Sequence, residues 1–417
     1  MTEPTIDHVP TDARAQRHAS WSELFFDLVA VAGVAALSHV LVLHLDATTL
    51  GLYALLFLAF WLSWTTFMLY GNVAAGQTHV LRLMVGMFGL GVMAATVPGV
   101  AHTVLEHGAN SLPLNVFAIA YIATRVYGSQ SWRRGQVLVD FPVVQYSGGL
   151  LPWLVSIWLD EPWKLALWAV GVGLDLLLIV VLSGHRMVAQ FQARMTALSV
   201  DRKQRRETAD GSRRGGRGRQ TVVAGISVDA DHLAERLGLF VIIVLGESVI
   251  QVVDAAAGAP YSIGLLAAGM ASFVLLAGMF GLSVAFGYAG LPHLRASRIP
   301  ARAALGLHCL VTGVIATIAV SLGAVVEHGA EPLSDQSRWL LCGALAGYFA
   351  LGVATGVVSH ASDLQRTVSR IVTGVLTPIL LAVFGAALSG LVLVVCLAVV
   401  VLSHLWFERR LAPVGQE

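Results

Sequence analysis

Residues 232–253 read HLAERLGLFVIIVLGESVIQVV, and the reading of this stretch decides the fold. It is long enough to cross a membrane, since about 20 residues of helix span the hydrocarbon. Yet it carries Glu235, Arg236, Glu247 and Gln251. At 100° per residue, Arg236, Glu247 and Asp254 fall within about 20° of one line down the helix, with Gln251 about 60° away. Glu235 stands at the helix start, where an acid reaches water cheaply. Glu247 lies about 18 Å further along, where a charge facing lipid costs about 3 kcal/mol. The stripe must therefore face protein or water, and other helices have to line it.

Composition sets the class. Of 417 residues, 56% are apolar and only 12% charged, about half the charged fraction of a soluble domain. The mean hydropathy is +0.75, which marks an integral membrane protein. Cys309, Cys342 and Cys396 stand singly in apolar runs and read as small buried hydrophobes. Residues 1–20 are polar and the first apolar run carries acids in its first turns, so that run is expected to stay as the first span.

That run, residues 21–45 (WSELFFDLVAVAGVAALSHVLVLHL), echoes the opening stretch. Glu23 and Asp27 are four apart and share a helical face, and His39 lies near the other end. Together the two stretches resemble the signatures of the bacterial low-temperature-requirement A (LtrA) family. Glu23-Leu-Phe-Phe-Asp27-Leu-Val29 matches its first helix, and residues 235–248 (ERLGLFVIIVLGES) match a later one. The resemblance implies a multi-pass bacterial membrane protein over nearly the whole chain, and it implies no reaction. Residues 279–288 (MFGLSVAFGY) depart from the aromatic-rich pattern that the family shows after its second motif.

Apolar runs predict an all-α protein of about 12 transmembrane helices. They fall at 21–45, 47–70, 79–99, 112–127, 137–159 and 163–183, then at 232–253, 262–288, 302–326, 339–360, 370–388 and 390–407. The last two form one apolar run, with a division expected at Ser389-Gly390. With both termini cytoplasmic, all of the 26 basic residues except Lys164 and Arg338 fall on the inner side, as the positive-inside rule requires. The chain then divides into a cytoplasmic tail (1–20), a first six-helix half (21–183), a basic linker (184–230), a second six-helix half (231–407) and a cytoplasmic tail (408–417). Six spans per half allow a parallel duplication, although sequence identity between the halves is too low to assert one. The linker holds Arg202-Lys203-Gln-Arg205-Arg206 and Arg213-Arg214-Gly-Gly-Arg217-Gly-Arg219. It reads as a disordered topology anchor that can touch anionic lipid, with no nucleic-acid partner expected.

Ionisable residues within the spans form two layers. The cytoplasmic layer holds Glu23, Asp27, Arg82, Arg125, Asp140, Glu235 and Arg236, a set of structural ion pairs or an inner gate. Glu23 or Asp27 is expected to pair with Arg82 or Arg125, the arginines nearest in depth. The deeper layer, Glu247, Gln251, Asp175, His39 and His308, supplies candidates for a substrate or ion pathway. Asp175 stands alone on its helix and is expected to be protonated or matched from another helix. Glycine clusters at 86–91 and 171–173 lack phosphate-loop context and suit close helix packing. His102, Glu106 and His107 form no complete metal set, no cofactor is implied, and no soluble-enzyme motif (GxSxG, P-loop, CxxC or kinase) is present.

Three readings follow for an inner-membrane protein whose partners are the lipid bilayer and an unidentified small-molecule or ion substrate. A secondary transporter using buried carboxylates for proton or ion coupling accounts for most of these features. A non-catalytic membrane scaffold or stress sensor is the second. An intramembrane enzyme acting on a lipid-like substrate is the third, and short loops give it little to work with.

Overall fold

A computed structural model describes residues 18–43, 46–74, 80–108, 110–130, 136–138, 140–145, 148–181, 224–292, 299–329, 331–358 and 364–411. Most of the N-terminal tail, the basic clusters of the linker and the last six residues lie outside the described residues. The first half contains α1 (Trp21–Leu43), α2 (Ala47–Ala74), α3 (Val80–Leu105), α4 (Leu112–Ser129), α5 (Leu150–Ser156) and α6 (Trp163–Val181). The second contains α7 (Ala230–Gly258), α8 (Ile263–Phe280), α9 (Ala301–His328), α10 (Asp335–Val358), α11 (Leu364–Ser369), α12 (Thr377–Phe384) and α13 (Gly390–Leu411). Local chemistry starts several of these helices. In a reciprocal capping box, the Ser20 backbone N–H and hydroxyl both donate to Glu23 Oε2 at 2.8 Å, and the Glu23 N–H donates back to Ser20 Oγ at 3.4 Å. Asp229 caps α7 by accepting from the His232 N–H at 3.3 Å.

Among the described residues, ten helices are long and apolar enough to cross a membrane. Large apolar side chains stay exposed on their outer faces, among them Phe88, Val180, Ile263 and Phe273. A soluble monomer rarely presents so much apolar surface, and a lipid-facing perimeter needs it. The 18-residue α4, with Asn115 and Arg125 in its run, is not among the ten.

The expected fifth span, 137–159, is not one helix. It contains strand β1 (Gln136–Leu138), a 3₁₀ turn (Pro142–Gln145) and the seven-residue α5. Pro142 removes a backbone donor and Gly148-Gly149 weakens helix propensity, so a continuous helix is not favoured. The segment nevertheless runs alongside α6. The Gly149 N–H donates to Asp175 Oδ1 at 3.2 Å, and one helical stretch away Ser156 Oγ accepts from Trp168 Nε1 at 2.9 Å. Irregular backbone at membrane depth is tolerated where protein covers it, and Leu138, Phe141, Val144 and Trp153 are all buried here. The last run divides where expected. A π-helical turn (Arg370–Leu376) and α12 end in a 3₁₀ turn (Gly385–Ala387), Ser389 bridges to Pro332, and α13 starts at Gly390.

The two basic residues that break the charge asymmetry are both buried pins. Lys164 donates to Asn115 Oδ1 at 2.6 Å, and Arg338 Nε donates to the Ala382 carbonyl at 2.8 Å while its Nη2 lies 2.8 Å from Asp335. In the glycine cluster 86–91, Gly86 and Gly89 serve packing, because Cβ atoms there would collide with Phe67 and Thr124, whereas Gly91 faces open space.

The halves meet where α1 and α2 pack against α7 and α9. Two small β additions qualify the all-α expectation. β3 (Gly287–Tyr288) pairs antiparallel with β4 (Leu291–Pro292), and β1 pairs parallel with β2 (Ala224–Ile226), with Val137 opposite Gly225. The β1–β2 pair ties the broken fifth segment to the chain entering α7.

Candidate functional site

Four helices converge on one buried charge cluster between the halves. On α1, Glu23 and Asp27 share a face. On α7, His232 and Arg236 are likewise four apart and share theirs. α2 contributes Trp64, Gly71 and Asn72, and α9 contributes His308.

Arg236 holds Asp27 through two hydrogen bonds, from Nε to Oδ2 at 3.0 Å and from Nη2 to Oδ1 at 2.6 Å. Its Nη1 lies 3.2 Å from Glu23 Oε1. Trp64 Nε1 donates to Asp27 Oδ1 at 2.8 Å, and His232 Nε2 lies 3.7 Å from Glu23 Oε2. Asn72 stands behind His232, its amide nitrogen 3.2 Å from Nδ1 and its amide oxygen accepting from the Asp229 N–H at 2.9 Å. Gly71 makes room for the pair, since a Cβ there would fall 2.7 Å from Glu23 Oε1. The Glu23, Asp27, His232 and Arg236 side chains are each no more than 2% exposed.

His308 closes the cluster on the far side of Trp64. Its ring stacks on Trp64 at 5.6 Å and meets Phe240 at 5.5 Å. Its Nε2 donates to the Leu237 carbonyl at 3.2 Å, which assigns the proton to Nε2 in the neutral ring. One tryptophan thus touches an inter-half ion pair with its indole nitrogen and a buried histidine with its face.

The structure redistributes the residues singled out in the sequence. The expected partners of Glu23 and Asp27, Arg82 and Arg125, are both engaged elsewhere. Arg82 lies over the Tyr70 ring at 5.6 Å, and Arg125 pairs with Asp175 at 2.9 Å. Asp175 is therefore matched across helices, not solitary. Asp140 holds the strap around β1: its carboxylate accepts from the Val228 N–H at 2.8 Å, and its carbonyl accepts from Arg302 Nε at 3.3 Å. Glu235 is half-buried and accepts from the Ala19 N–H at 3.3 Å, so the two glutamates that open the halves have unlike surroundings. Along α7 the polar stripe becomes more exposed, from Arg236 (1%) through half-buried Glu247 and Gln251 to exposed Asp254. The side chain of His39 lies outside the described residues.

Trp64, Asn72 and His232 were not singled out in the sequence. His232 had a signal, its i,i+4 spacing to Arg236. Trp64 and Asn72 gain their roles only from which helices are neighbours. Among the described residues, no group of three or more His, Cys, Asp or Glu side chains is placed to hold a metal ion.

Long apolar helices, an apolar perimeter and buried charges matched between helices define a multi-pass α-helical membrane protein. A family model, Bacterial low temperature requirement A protein (LtrA), matches residues 18–402. The chain belongs to that family. No curated protein and no solved structure gives a significant match.

Proposed function

We propose that the protein is a secondary transporter of the bacterial cytoplasmic membrane, coupled to protons at the Glu23–Asp27–His232–Arg236 cluster. One observation carries this reading. Among the described residues, two carboxylates, a guanidinium and an imidazole, each side chain no more than 2% exposed, meet across the seam between the halves. Gain or loss of a proton on a carboxyl there changes the charge of a buried cluster, where a charge left without its partner costs several kcal/mol. The acids belong to the first half and the base and histidine to the second. Protonation therefore changes the attraction between the units that rock in alternating-access carriers.

In this reading the strap at Asp140 closes the cytoplasmic end of the seam. Glu247 and Gln251 lead from the cluster toward the outer face, with Asp254 at the rim. The reading assigns no catalysis and leaves the solute unidentified. A scaffold or sensor is the second reading, supported by the two-point Arg236–Asp27 contact, a geometry that also suits a permanent clamp. Purified protein in lipid vesicles, tested for uptake across a panel of ions and metabolites with and without a pH gradient, separates the two. Gradient-dependent accumulation of a solute supports the carrier; none across the panel supports the clamp.

A further inference from the structure

A second buried cluster lies wholly within the first half, apart from the inter-half seam. Arg125 on α4 and Asp175 on α6 form its core, with Thr66 on α2, Tyr121 on α4 and Trp153 on α5 around them. Arg125 Nη2 donates to Asp175 Oδ2 at 2.9 Å, and Nη1 donates to Thr66 Oγ1 at 2.6 Å and to the Leu62 carbonyl at 3.4 Å. The carboxylate thus meets the guanidinium at one nitrogen only, whereas Asp27 takes both Nε and Nη2 of Arg236. The Nε–Nη2 edge, the fork that takes carboxylates and other anions at two points, is half used.

The unused half is not alone. Arg125 Nε, the Tyr121 hydroxyl and Trp153 Nε1 have no hydrogen-bond partner among the described residues. Their residues are 2%, 0% and 0% exposed. They are also neighbours. The Tyr121 and Trp153 rings are 4.2 Å apart, and Tyr121 stands one turn from Arg125 on α4. Trp153 rests against Gly171, one turn along α6 from Asp175, where any Cβ would strike its indole. Buried polar groups without partners are few in native proteins, and each is costly. Here three such groups lie on neighbouring residues, the Arg125 guanidinium among them, and all three are N–H or O–H donors.

From this convergence we infer that the cluster is a binding site for a small anion, a halide or a short carboxylate, seated on the Nε edge of Arg125 and receiving hydrogen bonds from Tyr121 and Trp153. Asp175 competes with that anion for Arg125. The site stands independently of the transport reading, because binding alone tests it. Trp153 and Trp168, stacked at 4.6 Å with Phe117 beside them, form an aromatic wall beside it.

The test is calorimetric titration of purified protein in detergent with sodium bromide, in a background of sodium gluconate, an anion too bulky to enter. Wild type is expected to bind bromide. Tyr121→Phe and Trp153→Phe each keep the aromatic stack but lose one donor, and are expected to weaken binding about tenfold. Asp175→Asn removes the competing charge and is expected to tighten it by about the same factor. If Asp175→Asn fails to fold, the two phenylalanine variants decide. Absence of bromide binding in wild type overturns the proposal, as does binding unchanged by both phenylalanine substitutions; either leaves water as the occupant.

Discussion

Arg236 on α7 and Asp27 on α1, 209 residues apart in sequence, join through hydrogen bonds of 3.0 and 2.6 Å. This contact locks the second half of the bundle onto the first. Glu23 one turn earlier on α1 and His232 one turn earlier on α7 extend it, and Trp64 links it to His308. A buried ion pair is a poor source of stability, because desolvation offsets most of the Coulomb gain. What it does in this position is join the face of α1 that bears Asp27 to the face of α7 that bears Arg236.

The contacts of Arg236 rank the substitutions. Asp27→Asn keeps the Arg236 guanidinium beside Glu23, whereas Arg236→Gln takes from Asp27 both of its guanidinium hydrogen bonds. Arg236→Gln is therefore expected to cost about 3–5 kcal/mol and Asp27→Asn distinctly less. Thermal unfolding in detergent measures both. Equal losses would mean that Arg236 contributes nothing to the folded protein beyond its contact with Asp27.

Packing of α3 on α4 depends on Gly89, where a Cβ would overlap Thr124 Oγ1. Gly89→Val is expected to destabilise by about 1–3 kcal/mol, the usual range for overpacking. Adding Thr124→Ala should recover part of the loss. A Gly89→Val protein as stable as wild type would show that the helices separate freely there.

The inter-half contact shows how far the sequence could be read. Glu23, Asp27 and Arg236 stood out because charges in apolar runs are costly wherever they face lipid, and that cost is local to each helix. Their pairing was not legible. Depth along single helices made Arg82 and Arg125 the nearest arginines, and only the assembled bundle shows that α1 lies against α7. The broken fifth segment left a signal at Pro142 and Gly148-Gly149, masked by the apolar average around it. Asp175 read as solitary because its partner, Arg125, reaches it from another helix.

The strap between the halves can be tested directly. Val137 and Gly225 are opposed in the parallel β1–β2 register, so cysteines at both positions are expected to form a disulfide under mild oxidant. Cys309 and Cys342 are buried and should not compete. In the carrier reading the cross-link stops turnover and reductant restores it. Undiminished flux through fully cross-linked protein would remove the strap from the gating cycle.

The α7 stripe predicts a gradient of access. With Cys396 replaced by serine, cysteines introduced singly at Asp254, Gln251 and Glu247 should react with a membrane-impermeant thiol reagent from outside in that order. Asp254 is exposed and the other two are half-buried. Labelling of Asp254→Cys only from the cytoplasmic side would invert the topology.

In the carrier reading the inter-half cluster carries the coupling proton. This is tested most directly by pH-gradient-driven uptake into vesicles, comparing wild type with monodisperse Asp27→Asn protein. Wild type is expected to accumulate at least one solute of the panel in a manner abolished by a protonophore, and Asp27→Asn is expected to lose that gradient dependence while remaining folded. Gradient-driven uptake that survives in Asp27→Asn, or no gradient-driven uptake in wild type, would contradict the account.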